Sequence, residues 1–491
     1  MKKLVRAELA VMAGALLYGY LFWHEGWGVN TIIGTGFLLG ITAWLRPDSF
    51  RSTPVKWLAV GLGFSAVMVV LNNSIVSKLL HFSSMILLIG FVQGRFLRFA
   101  GYALLLGAYS LLQAPLGIVL NFTIPGSRHL KPGWWRHSIW QVLLPGALGL
   151  FFFIIYFVAN EAFAQMVEDA LQRLAVIFPN HLPIGLVFLG FWGASMVFAL
   201  LYPNRKAQSF EAHDEAQTFD LHRKHKASKS SNPIALKYHY KTALITVILL
   251  NLLLAMVNLA DIGSVWTGFQ YESPYALSRF VHTGTYWLIF SIFLSGCVVL
   301  YFFRGNLNFL KNNRSLRTLT QVWLLQNALL ALSVGMRNYH YIAGYGLAYK
   351  RIGVLIFLLL TIIGLYTLYT KVAQQRSFFY LAHTNAWAWY GIWLLCSTVN
   401  WDECITRYNL SRRPDSIDMQ FLIHSVSDKN TYLLLQNRER LHNTGVLLYD
   451  ENHMDGLEIK PIICMNKISS HSWLSWNLPD EINKRAIMRR Y

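Results

Sequence analysis

Charged side chains are scarce in this sequence: Asp, Glu, Lys and Arg make up 14% of its 491 residues, against roughly a quarter in ordinary soluble domains. So few charges cannot cover a large water-facing surface, which excludes a soluble multidomain enzyme. Cysteine is scarcer still. Its four residues are too few and too scattered for a disulfide framework or a metal site. Cys297 and Cys396 fall inside apolar runs and read as small hydrophobes. Cys404 and Cys464 lie in a polar tail, where they can pair only if the tail faces an oxidising compartment. No G-x-x-x-x-G-K-[ST], H-E-x-x-H or G-x-S-x-G stretch and no kinase motif set occurs, so the sequence points to no cofactor and no recognisable catalytic class. The net charge of +19 is spread over short segments between apolar runs and forms no basic domain, which argues against nucleic acid as a partner.

Apolar residues fill the space that charge leaves. They make up 54% of the chain, aromatics 15%, and the mean hydropathy is +0.37. Twelve runs are candidate spans. The first six are Leu9–Trp23, Gly28–Leu45, Trp57–Leu71, Ile75–Val92, Phe99–Leu120 and Ile139–Val158. The others are Ile184–Tyr202, Thr242–Leu259, Thr285–Phe303, Leu319–Ser333, Ile352–Tyr369 and Phe379–Val399. The fold class that follows is all-α, a polytopic transmembrane helix bundle of about twelve spans whose partner is the lipid bilayer. Met1-Lys2-Lys3 followed by Ala10–Trp23 imitates a signal peptide, but no small-x-small cleavage site follows, so the run reads as an uncleaved first span.

Orientation comes from the basic segments. Residues 203–241 carry eight Lys and Arg against four acids, and 304–317 and 371–376 are basic too. With all three inside, the last five spans alternate and the tail after Val399 lies outside, as expected for a bacterial inner-membrane protein. Seven spans before an inside loop place Met1-Lys2-Lys3 outside, against its charge; Ile75–Val92, interrupted by Lys78 and His81, is the suspect member. His222 and His225 lie in the basic loop beside lysines, with no cysteine or carboxylate at ligand spacing, and read as solvated. The organisation is an N-terminal bundle (1–202), a basic cytoplasmic loop (203–241), a C-terminal bundle (242–399) and an extramembrane region (400–491). That last region carries an amphipathic helical pattern over Ile417–Leu441 and a helical or docking segment at Trp473–Asn477. It is long enough for a small domain that meets a membrane or envelope protein.

Polar groups at membrane depth are costly and therefore informative. Asn160, Asn251, Asn258 and Asn327 read first as helix-packing amides that bond neighbouring helices in lipid. Asn251 and Asn258 are seven apart and share a helix face, with Asp261 three further on. Glu161, Asp261, His282, Arg337 and Arg351 fall near predicted membrane surfaces and together hold the acid, base and cation that a carrier or enzyme needs; singly, each also fits an interfacial anchor. The stretch Tyr339–Arg351 separates two apolar runs. Within it Tyr341 and Tyr345 follow Arg337 at intervals of four, and Gly344 and Gly346 predict a break in the helix. It reads as a tyrosine belt or as a polar site at the membrane face.

Several segments carry a resemblance. They are Leu144-Pro145 through Tyr156, Ala159-Asn160-Glu161-Ala162-Phe163, Asn251 through Asn258 with Asp261 and Trp266, and Tyr275-Ala276 through Val281-His282-Thr283-Gly284. Tyr345-Gly346-Leu347 with Arg351 and Trp401-Asp402 through Arg407-Tyr408-Asn409 complete the set. In these the chain resembles an uncharacterised family of bacterial multi-pass membrane proteins, a domain-of-unknown-function family. The resemblance implies a shared membrane fold and no transferable activity. Where that family has threonine after Tyr-Gly-Leu, this chain has Ala348. Two functions are open: a non-enzymatic sensing, scaffolding or envelope-complex component, or a transporter or membrane-embedded enzyme acting on a lipid or envelope substrate.

Overall fold

The computed structural model describes residues 2–123, 149, 152–153, 156–157, 160–177, 184–222, 233–267, 274–303, 305–310, 313–413, 417–442 and 456–489. Among these residues no strand forms; one isolated bridge joins Asp220 and Arg376. The long helices are α1 (Lys2–Phe22), α2 (Val29–Leu45), α3 (Thr53–Asn72), α4 (Ile75–Gln93), α5 (Ala100–Thr123), α6 (Glu161–Ile177) and α7 (Ile184–Leu201). After a short α8 (Ala207–Glu215) come α9 (Pro233–Asp261), α10 (Pro274–Phe302), α11 (Arg314–Tyr345), α12 (Tyr349–Gln374) and α13 (Phe378–Ser397). Nine described helices are long and apolar enough to cross a membrane, and each overlaps an expected span. This is a multi-pass membrane protein. The expected span Gly28–Leu45 is apolar but short, Phe379–Val399 is a helix outside the nine, and Ile139–Val158 lies almost wholly outside the described residues.

Ile75–Val92 needs correction as the suspect span. Lys78 and His81 do not interrupt it. Ser74 caps α4 by accepting from the Ser77 N–H, and His81, buried, shares a 3.0 Å hydrogen bond with the Ser65 hydroxyl of α3. A satisfied polar pair between two helices is tolerated in lipid.

The chain divides into two compact units. The first holds Met1–His24, Gly40–Arg46 and Tyr109–Pro203. There α1 packs against α7, and the backbones meet closely: a Cβ at Gly193 would lie 2.5 Å from the Gly14 carbonyl oxygen and 2.4 Å from the Tyr18 Cβ. Only glycine, which has no Cβ, permits this approach.

The second unit holds Glu25–Leu39, Pro47–Ala108 and Asn204–Tyr491. Helix α11 is its hub. Trp323, Leu324, Leu330 and Val334 pack with Ala243 and Val247 of α9, Ile292 and Val299 of α10, and Leu358, Leu365 and Val372 of α12. The described parts of the basic segments gather at one end of this unit. Asp220 pairs with Arg376 at 2.6 Å, Asp214 with Arg98 at 3.5 Å, Gln375 donates to the Asn308 carbonyl at 2.8 Å, and Lys371 to the Phe303 carbonyl at 3.1 Å.

The opposite end carries a helical cap: α14 (Trp401–Leu410), α15 (Thr431–Gln436), α16 (Arg438–His442), α17 (Gly456–Ser469) and α18 (Leu478–Met488). Ile405, Leu422, Tyr432, Leu433 and Leu457 form its core, which Ile352 of α12 joins. The helix expected over Ile417–Leu441 is broken into short turns. The reason is a buried lysine. Lys460 donates to the carbonyls of Leu422, Ile423 and Val426 at 3.1, 2.9 and 2.8 Å, drawing them from a regular helical ladder. Asn430, also buried, donates to Thr406 and the Leu422 carbonyl. Cys404 and Cys464 are both free, one exposed and one buried, and burial pushes the Cys464 thiol up to about 11. They form no bridge.

Burial pushes the Lys460 amine down to about 8 from its ordinary 10.5. Between about 8 and 9 Lys460 makes the unfolded cap hold more protons than the folded one, so cap stability rises over that window; above 9 the proton kept by the Cys464 thiol opposes the rise. We expect a tryptophan-fluorescence melt of the full chain to show this rise and Lys460→Met to abolish it. At pH 7 the same substitution lowers cap stability by about 1–3 kcal/mol, because the three carbonyls lose their donor. A melt with the same pH slope in both proteins contradicts the assignment.

Candidate functional site

The stretch 339–351 sits where α11 ends against the cap. Helix α11 leaves its last carbonyls without intrahelical partners, and the cap supplies them. Arg412 donates to the carbonyls of Ala343 and Gly344 at 3.0 and 2.6 Å. Arg351 turns back onto the Gly346 carbonyl. Asn409 of α14 holds Leu347 at both backbone groups, accepting from its N–H at 2.7 Å and donating to its carbonyl at 2.9 Å. The chain turns at Gly346 with φ of 84°, a left-handed conformation that glycine adopts freely. A Cβ there would also lie 2.3 Å from the Asn409 Oδ1. Glycine is therefore required by both backbone and space.

Beside the turn, the Arg351 guanidinium lies 4.3 Å from the Tyr341 ring centroid and 5.8 Å from that of Tyr345, a cation–π arrangement. Asn338 donates to the Arg351 carbonyl at 3.0 Å. Next to it, Tyr349 donates to Asp402, which also faces Lys429 at 3.4 Å. Asp402 and Lys429 are both well shielded, at 7% and 15% side-chain exposure.

Below the turn, α9 and α11 run parallel along a polar seam. Asn251 donates to the Leu319 carbonyl at 3.1 Å and accepts from Gln326 at 2.9 Å. Asn258 donates to the Gln326 carbonyl at 3.1 Å. Trp266 donates to Ser333 at 2.9 Å, and His340 lies 3.0 Å from the Val265 carbonyl. Leu319, Gln326, Ser333 and His340 recur every seven residues, as do Asn251, Asn258 and Val265, the spacing of a left-handed supercoiled pair. At the cap end Asp261 and Arg337 form a buried ion pair at 8% and 9% side-chain exposure.

The sequence candidates therefore divide. Asp261 joins Arg337, and Tyr341, Tyr345 and Arg351 stack together. Asn251 and Asn258 bond across helices. Asn327 instead donates to the Trp323 carbonyl of its own helix. Asn160 is an N-cap, accepting from the Phe163 N–H at 3.1 Å. Glu161 is exposed in the first turn of α6, in the other unit, where an acidic group suits the helix dipole. The side chain of His282 lies outside the described residues, as do Arg223 to Asn232 of the histidine-bearing loop. Among the described residues no cluster of His, Cys, Asp and Glu has metal-binding geometry. Sequence reasoning missed Asn409, Arg412, Asp402 and Lys429. Asp402 and Asn409 stood in the resembling segment Trp401–Asn409; Arg412 and Lys429 carried no signal beyond their charge.

A family model described as Domain of unknown function (DUF4153) matches residues 58–436, more than half of the chain and the whole of the segments that carry the resemblance. No curated protein and no solved structure matches the chain.

The buried pair predicts a double-mutant signature. Arg337→Leu or Asp261→Leu alone leaves one buried charge and lowers stability by about 3–5 kcal/mol, whereas the double substitution recovers most of the loss. Melting in detergent measures the coupling; additive losses count against the pair. At the turn, Gly346→Ala destabilises the cap-to-helix junction. Ala348 is the N-cap of α12 with no side-chain cap bond, so Ala348→Thr adds about 0.5–1 kcal/mol. Opposite signs for these two variants in the same melt check the geometry.

Proposed function

We propose that this chain, which belongs to the DUF4153 family, is a non-enzymatic component of a bacterial inner membrane whose outward cap presents a docking or sensing surface to a membrane or envelope protein. The observation that carries this reading is the clamp of Asn409 and Arg412 on the end of α11. A load on the cap reaches the hub helix directly, because two hydrogen bonds from Arg412 hold its last turn and two from Asn409 hold Leu347 just beyond it. The gathering of basic segments at the other end supports an inside placement of that end and an outside placement of the cap. Asp261 and Arg337 neutralise each other within a helix seam, which favours a structural use over a carrier's or enzyme's.

The cap keeps large apolar side chains in the open: Trp473 is 64% exposed, Met488 57% and Ile463 55%. Such patches mark interaction surfaces when contiguous. Photocrosslinking residues placed at Ile463, Trp473 and Met488 in living cells are expected to yield one recurring protein adduct. Arg412→Ala, which loosens the cap, weakens that adduct. Lipid adducts alone, or none while the protein accumulates, overturn the reading.

A further inference from the structure

A cleft of about 580 Å³ opens in the second unit between α4, α12 and α13, beneath the cap. Its walls are apolar: Ile356 and Leu360 of α12, Ile392 and Trp393 of α13, Ile75 of α4. Its upper end is polar, formed by Tyr349, Asp402, Ser427 and Lys429. From Tyr349 to Leu360 the wall descends about 16 Å at the helical rise, half of a ~30 Å hydrocarbon core and hence one leaflet. The mouth faces outward from the helices, with Ile75 68% and Trp389 50% exposed. Gly353 lines the cleft, and a Cβ there would meet nothing within 4 Å.

The polar end has donors to spare. The Ser427 hydroxyl oxygen is buried with no hydrogen-bond partner among the described residues. The Lys429 ammonium, with three N–H groups, directs one to Asp402 at 3.4 Å, longer than a close charge-assisted bond. Asp402 lines the same end, and its carboxylate accepts from Tyr349 and pairs with Lys429, which offsets its charge.

We infer that this cleft is a phospholipid site. One acyl chain lies along α12 and α13, and the phosphodiester accepts hydrogen bonds from Ser427 and Lys429. The site is separate from the docking surface on the cap and stands or falls without it. An apolar trough as deep as one leaflet, ending in uncommitted donors, matches a chain joined to a phosphate and not a free phosphate or an apolar helix.

The test uses the full chain in nanodiscs doped with a phospholipid carrying a photoreactive acyl chain, with labelled peptides mapped by mass spectrometry. The wild type is expected to show saturable labelling concentrated in residues 349–360 and 389–396. Gly353→Leu, which fills open space on a helix, abolishes that labelling, and Gly353→Ala keeps it with an unchanged melt. Lys429→Ala raises the half-saturating probe fraction about tenfold, ~1.4 kcal/mol. A diacylglycerol bearing the same chain labels these peptides weakly, and inorganic phosphate does not compete. Equal labelling of wild type and Gly353→Leu, labelling spread over all lipid-facing helices, equal labelling by diacylglycerol, or crosslinks between two copies of the chain each overturn the proposal.

Discussion

The last carbonyls of a helix have no partner within it and must find donors elsewhere. In this protein that requirement falls on α11, the hub of the larger unit, and the donors come from a distant part of the chain. Arg412 and Asn409 are more than sixty residues away in sequence. The stop of α11, the positive φ of Gly346 and the seating of α14 are therefore one arrangement. Moving any of them strands backbone groups of the others.

The same economy governs the interior. Amide contacts at a seven-residue period, and an ion pair off that register, join α9 to α11, where apolar contact alone gives little preference among helices already in lipid. Register between two parallel helices is set by these polar contacts, much as a buried asparagine fixes register in a coiled coil. The cap obeys a different rule. Lys460 and Asn430 hold irregular backbone in place, and the surrounding Leu422, Leu433 and Leu457 form a small core of ordinary kind.

The membrane class was legible because an apolar run of span length suits little besides a bilayer crossing. The seam was half legible: the spacing of Asn251 and Asn258 fixes a shared face, but their partners Leu319 and Gln326 follow from tertiary packing. The turn at Gly346 was foreshadowed by its glycines. Its clasp was not, because Asn409 and Arg412 resemble any polar residues beyond a last span. The break within Ile417–Leu441 was hidden for a related reason. Helical periodicity in that stretch is real, and a lysine thirty-seven residues beyond Ile423 overrides it by taking the carbonyls a helix needs.

The parallel pairing of α9 with α11 has a consequence for biogenesis. Asp261 lies 76 residues ahead of Arg337, and α10 must be made between them. At about 5–20 residues per second, the carboxylate reaches the membrane roughly 4–15 seconds before its partner exists. During that interval α9 carries Asn251, Asn258 and Asp261 without the helix that satisfies them, so it must linger in a hydrated or chaperoned setting until α11 arrives. The polar seam thus dictates a waiting step in the assembly of the bundle.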